Sequence, residues 1–215
     1  MVGTEWGSPT ARGAGLGPVA VLAALVVVVL GVRYAGHGRP GTVDGWLRPV
    51  DDLRPPWRRV ALFLDFLGEP VGAALLVAAA VAACLLLRRP RTALLAVAGP
   101  GAAVGAATLL KHLVGRTIHG GYLSYPSGHT AFLTALALVA ALAATRRAAP
   151  GRTAATLLVL AAALAAGAAM GWAQVALGAH YPTDALGGWC TALALVPATA
   201  WALDRWTNAP TSKHI

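Results

Sequence analysis

The chain has 215 residues, of which 57% are hydrophobic and only 12% charged, about half the charged fraction of an ordinary soluble domain. Its formal charge of +9 comes mostly from arginines between apolar blocks, with no basic stripe interleaved with aromatics, which argues against nucleic acid as a partner. These features exclude an ordinary water-soluble domain and point to a single all-α, polytopic membrane protein.

In chain order, residues 1–15 are Gly-rich and polar and are expected to form a disordered cytoplasmic N-terminus. The first apolar block runs from 16 to about 35. A signal peptide flanked by Arg12 is one reading, but the apolar core is long and "GVRYAGHG" offers no small-x-small cleavage site, which favours a retained anchor. Residues 36–59 are polar and rich in Pro, Arg and Trp. The segment "RRVALFLDFLG" (58–68) is amphipathic enough to lie in the interface, with Trp46 and Trp57 as belt residues. Further apolar blocks fall at 70–87, 92–114, 128–145, 153–176 and 184–203, each near the ~20 residues that a spanning helix needs. Gly and Ala dominate several of them, which permits close packing in lipid. The expected fold is a bundle of six transmembrane helices over 16–203, with 204–215 as a cytoplasmic tail. Cys84 and Cys190 fall in different spans near opposite faces, so no disulfide is expected.

Orientation follows from the short loops. "RRPR" (88–91) and "RRAAPGR" (146–152) are arginine-rich and read as cytoplasmic, which places both termini inside and the loops 115–127 and 177–183 outside. The arginines of the 36–59 loop run against this rule, and Asp44, Asp51 and Asp52 offset them only in part.

Three polar clusters then share the outer face: "KHLVGR" (111–116), "YPSGH" (125–129) and "HYPTD" (180–184). Ionisable groups at membrane depth are costly and usually functional. In the second cluster, Ser127 is a good N-cap for the helix behind it. The first-turn N–H groups of Gly128 and His129 would form an anion site, with His129 placed to move a proton. An ordinary cap beside an interfacial histidine explains the tetrapeptide equally well. In the third, Pro182 opens a helix and Asp184 in its first turn reaches back toward His180, where it would fix the imidazole tautomer and free the other nitrogen as a nucleophile. Taken alone, that pair reads better as a capping carboxylate and an unrelated loop histidine. Lys111 closes the preceding span, Gly115 is expected to end it, and Lys111 and Arg116 are either snorkelling residues or cations aimed at a phosphate.

Together the parts suit phosphoryl transfer. Asp184 is the only carboxylate among the three clusters and the histidines lack zinc spacing, so covalent histidine chemistry is expected, with no metal and no cofactor. In order and spacing these residues resemble the type 2 phosphatidic acid phosphatases (PAP2), whose pattern is Lys-x6-Arg-Pro, then Pro-Ser-Gly-His, then Ser-Arg-x5-His-x3-Asp. The resemblance covers spans two to six. It implies that His180 attacks phosphorus, Asp184 orients it, His129 protonates the leaving group, and Lys111, Ser127 and Gly128 bind phosphate. Both family arginines are replaced: the Arg-Pro positions fall on Ile118 and His119, and the Ser-Arg positions on Ala173 and Gln174. Arg116, by position, and Gln174, as a neutral donor, are assigned to the phosphate. The expected activity is removal of a terminal phosphate from a lipid phosphate or diphosphate at the outer face of a cell membrane. A polyprenyl diphosphate or phosphate is the first choice and a phosphatidate-type glycerolipid the second. The alternatives are a non-catalytic PAP2-like protein that binds or moves a lipid, and a metal-dependent phosphatase.

Overall fold

The computed structural model describes residues 15–47, 53–148 and 151–207. The expected disordered N-terminus, apart from Gly15, and the tail beyond 207 lie outside these residues. Eight helices and one hairpin are described: α1 Gly17–Arg33, α2 Thr42–Trp46, α3 Pro55–Gly68, α4 Pro70–Leu86, α5 Pro90–Val114, β1 Thr117–Ile118, β2 Tyr122–Leu123, α6 Gly128–Ala148, α7 Arg152–Ala176 and α8 Pro182–Thr207. Proline stands in the first turn of α1, α3, α4 and α5 and opens α8, where its fixed φ and missing N–H cost nothing.

α6 is the centre of the bundle and packs on α5, α7 and α8, while α1 lies against α8 and α4 against α5. The core is built mainly from small residues: Ala96, Ala103 and Ala107 of α5 meet Ala131 and Ala135 of α6, Ala163 of α7 and Ala192 of α8. Such residues let backbones approach closely where lipid supplies no hydrophobic drive between helices. Bulky apolar side chains such as Leu22, Val29, Leu75, Leu113 and Leu157 point outward, as expected of surfaces that face hydrocarbon. Cys190 is buried in the core and Cys84 is half-buried, both as free thiols.

Four helices, α5 to α8, are long and apolar enough to cross a membrane, and α3 with α4 would make a fifth span if that pair, bent by 68°, is counted as one. α1 is apolar but has 17 residues, as does α4 alone. The sequence-based expectation of six spans is therefore matched for four helices, with a possible fifth in the bent pair. The bend separates α3 from α4 where an interfacial segment was expected to meet a span. α3 rests on α7 and α6 and exposes Trp57, Phe63 and Phe66.

Candidate active site

The ends of α1, α5 and α7 and the starts of α6 and α8 meet at one end of the bundle, together with α2, the hairpin and the α3–α4 elbow. α5 stops where expected: Gly115 takes a left-handed conformation (φ 64°) and its N–H donates to Lys111 O at 3.0 Å, an αL cap. The chain then turns through β1 and β2, paired antiparallel with Thr117 opposite Leu123. The His119 ring is 2.7 Å from Gly178 O in the α7–α8 loop.

The Pro-Ser-Gly-His segment forms the helix start that was expected. Ser127 is buried and its Oγ accepts from Thr130 N at 3.4 Å and from Thr130 Oγ1 at 3.0 Å, so it caps α6. The first-turn N–H groups of Gly128 and His129 have no acceptor within their own helix, and Gly128 faces open space where a Cβ would stand. The segment is held from behind. Tyr125 is fully buried and donates its hydroxyl to Val27 O at 2.7 Å; burial pushes that hydroxyl's pKa up and keeps it a donor. Gly187 and Gly188 of α8 lie against the Tyr125 ring and the Ser127 carbonyl with no room for a side chain.

One main-chain bond joins the second and third clusters: Ser127 N donates to Asp184 O at 2.9 Å. Asp184 is fully buried in the first turn of α8. Its Oδ2 accepts from Tyr181 N at 3.0 Å and lies 3.7 Å from His180 Nδ1, a close approach just beyond hydrogen-bond length. His180 is 8% exposed, and its Nδ1 has no closer partner among the described residues. Lys111 is half-buried and lies within electrostatic reach of Asp184 and His129.

Arg116 takes a different place from the one expected. It is 0% exposed, with Nη2 on Asp44 Oδ2 at 2.5 Å and Nη1 on Asp184 Oδ1 at 2.6 Å. Nη1 also donates to Thr183 Oγ1 at 2.6 Å. The rings of Tyr34 and Tyr181 lie 4.0 and 4.5 Å from its guanidinium carbon. The fork expected for a phosphate is already filled by two carboxylates, because a guanidinium buried this deeply needs counter-charge. Its Nε has no partner among the described residues. Gln174 is 1% exposed and donates to Asp65 Oδ1 at 2.7 Å, so its amide is likewise occupied.

Three acidic residues that the sequence reading did not assign to the site lie in it. Asp44, on α2, is fully buried. Burial alone would raise its pKa, but donors at Thr183 N, Gly41 N, the Thr183 hydroxyl and Arg116 outweigh that and hold it below the usual value. Asp65 and Glu69, at the elbow, each bring a carboxylate oxygen to 3.6 Å from His129 Nε2. Gly68 lies so close to the His129 ring that a Cβ would collide with it. One atom each of Asp65, Glu69 and His129 lie within 4.8 Å of one another, a group able to hold a metal ion. The expectation of no carboxylate set suited to a metal considered the three clusters alone, and these two carboxylates come from the α3–α4 elbow outside them. Asp65 was legible as a charge interrupting an apolar run; nothing in the sequence marked Asp44.

A family model described as the PAP2 superfamily matches residues 102–208, the part of the chain that carries all three clusters. Among solved structures, the chain is similar to the "first transmembrane PAP2 type phosphatidylglycerolphosphate phosphatase from Bacillus subtilis", at TM-score 0.66 and 19% identity, over 88% of this chain and 98% of that one. At that identity the likeness concerns the fold. No curated protein matches the sequence.

Proposed function

Because this chain belongs to the PAP2 superfamily, we propose that it is a membrane lipid phosphatase acting through a phosphohistidine, with its site on the outer face of a cell membrane and both termini inside. The observation that carries the proposal is the meeting of His180, Asp184 and the Ser127–His129 helix start across the Ser127–Asp184 main-chain bond. In the proposed reaction His180 Nε2 attacks phosphorus, since Nδ1 faces Asp184. The bond from phosphorus to the lipid oxygen breaks, and His129 gives that oxygen a proton. Water then attacks phosphorus and the phosphorus–nitrogen bond breaks, releasing phosphate and free His180, with His129 taking the water's proton. Lys111 and the N–H groups at the start of α6 bind the phosphoryl oxygens. The lipid is a polyprenyl diphosphate or phosphate by preference, and a phosphatidate-type glycerolipid second.

The test is phosphate release from a panel of both lipid classes by purified protein, with labelled substrate to trap the phosphoenzyme. His180→Ala should abolish turnover and phosphoenzyme together. Near-normal turnover in that variant would sink the mechanism, and no release from any lipid would favour a non-catalytic lipid-binding protein.

A second reading rests on the Asp65–Glu69–His129 group: a divalent cation held there would offset the carboxylates that face an incoming phosphate. Activity that survives excess chelator supports the metal-independent reading. Activity lost in chelator and restored by magnesium or zinc supports the second.

A further inference from the structure

We infer that Asp44 and Arg116 are positioning residues for the His180–Asp184 pair, so that the outer loop carrying α2 is part of the catalytic apparatus. The inference rests on the proposed role of His180 as nucleophile.

A carboxylate orients an imidazole only if it is itself held. Asp184 is held at both oxygens, Oδ1 by Arg116 Nη1 at 2.6 Å and Oδ2 by Tyr181 N at 3.0 Å. This fixes rotation about its terminal bond and leaves Oδ2 as the oxygen that faces His180. Arg116 is fixed in turn. Tyrosine rings cover its guanidinium, and its second arm lies on Asp44. Asp44 is held from four directions: by Arg116, Gly41 N at 2.9 Å, Thr183 N at 2.9 Å and Thr183 Oγ1 at 2.7 Å. Thr183 adjoins Asp184, so both carboxylates are referred to the same turn of α8.

Charge gives Asp44 a reason beyond tethering. Arg116 with Asp184 alone would be a neutral pair, and the guanidinium would cancel much of the field that Asp184 exerts on His180. With Asp44 the buried set carries one net negative charge. That charge balances the positive charge growing on the His180 ring as its nitrogen bonds to phosphorus. Arginine suits the geometry, because its planar fork offers one Nη to each carboxylate.

The experiment uses the full chain in detergent micelles, with Asp44→Asn and Arg116→Lys. Asparagine keeps the size and acceptor of Asp44 without its charge; lysine keeps the charge of Arg116 but not its rigid fork. Turnover of a short-chain prenyl diphosphate should fall in kcat by 10- to 100-fold, on the order expected for a displaced reacting group. KM and the inhibition constant for inorganic phosphate should stay within about twofold. In parallel, 15N spectra of labelled histidine, with the His180 signal identified by its loss in His180→Gln, should show one tautomer in the unaltered protein and a mixture in both variants. This second readout stands even if the protein turns over no lipid, so failure of the phosphatase reading is told apart from failure of this one. A rise in KM and in the phosphate inhibition constant with the tautomer intact would overturn the inference and make Arg116 a phosphate ligand. An unchanged tautomer with unchanged kcat would overturn it in favour of a loop tether. If one variant fails to fold, the other carries both readouts.

Discussion

His129 is held by shape as well as by charge. The elbow presents Gly68 to one side of its ring, where a Cβ would collide with the ring carbons, while Asp65 and Glu69 stand 3.6 Å from its Nε2. Gly68→Ala forces the imidazole or the elbow to move, and overpacking of this kind costs about 1–3 kcal/mol. The expected outcome is a folded protein whose kcat/KM on the best lipid falls by about tenfold or more, since a reacting group displaced by about 1 Å can cost up to about a hundredfold in rate. Measured against it, Gly101→Ala, at a glycine with open space where its Cβ would stand, should leave kcat/KM within about twofold. Equal losses in the two variants would show that contact between the elbow and His129 is immaterial.

At the level of elements, α2 is five residues long and would not persist alone in water. It is held mainly through Asp44, whose depressed pKa makes the attachment sensitive to acid. Asp44 faces Arg116 and, across it, Asp184. A carboxylate with a lowered folded pKa contributes stability that is fully present above its unfolded value and is lost as pH falls through the folded one. The melting temperature in detergent should therefore fall as pH drops below about 4, the ordinary value of an aspartate. In Asp44→Asn the drop should be smaller and the starting value lower; an unchanged acid slope would show that other groups govern it.

What the sequence disclosed differs among the elements. The stop at Gly115, the cap at Ser127 and the first-turn placement of Asp184 were legible because each follows from one residue's backbone preference and its immediate neighbours. The partners of Arg116 were not, since Asp44 lies 72 positions away and no periodicity or spacing links the two. The elbow was legible in part: amphipathicity set α3 apart from α4, while the direction in which Asp65 and Glu69 point depends on a 68° bend that a hydropathy pattern does not encode.

For the whole molecule, the connections from α4 onward alternate between the two ends of the bundle, so the hairpin and the α6–α7 turn should lie on opposite sides of the bilayer. Tyr122, in β2, is 75% exposed, and the Arg146 side chain near the end of α6 is 46% exposed. In a Cys84→Ala background, with Cys190 buried at 3%, an impermeant maleimide should label Tyr122→Cys on intact cells and Arg146→Cys only after permeabilisation. The reverse pattern would invert the topology. The bond from Ser127 N to Asp184 O bears on how such a molecule tolerates change. It joins main chain to main chain, so no side-chain exchange deletes it short of proline at 127. Exchange of the side chains around it therefore leaves the spacing between the starts of α6 and α8 in place. The register of these two helix starts is thus written in the backbone and not in the chemistry of the residues that surround it.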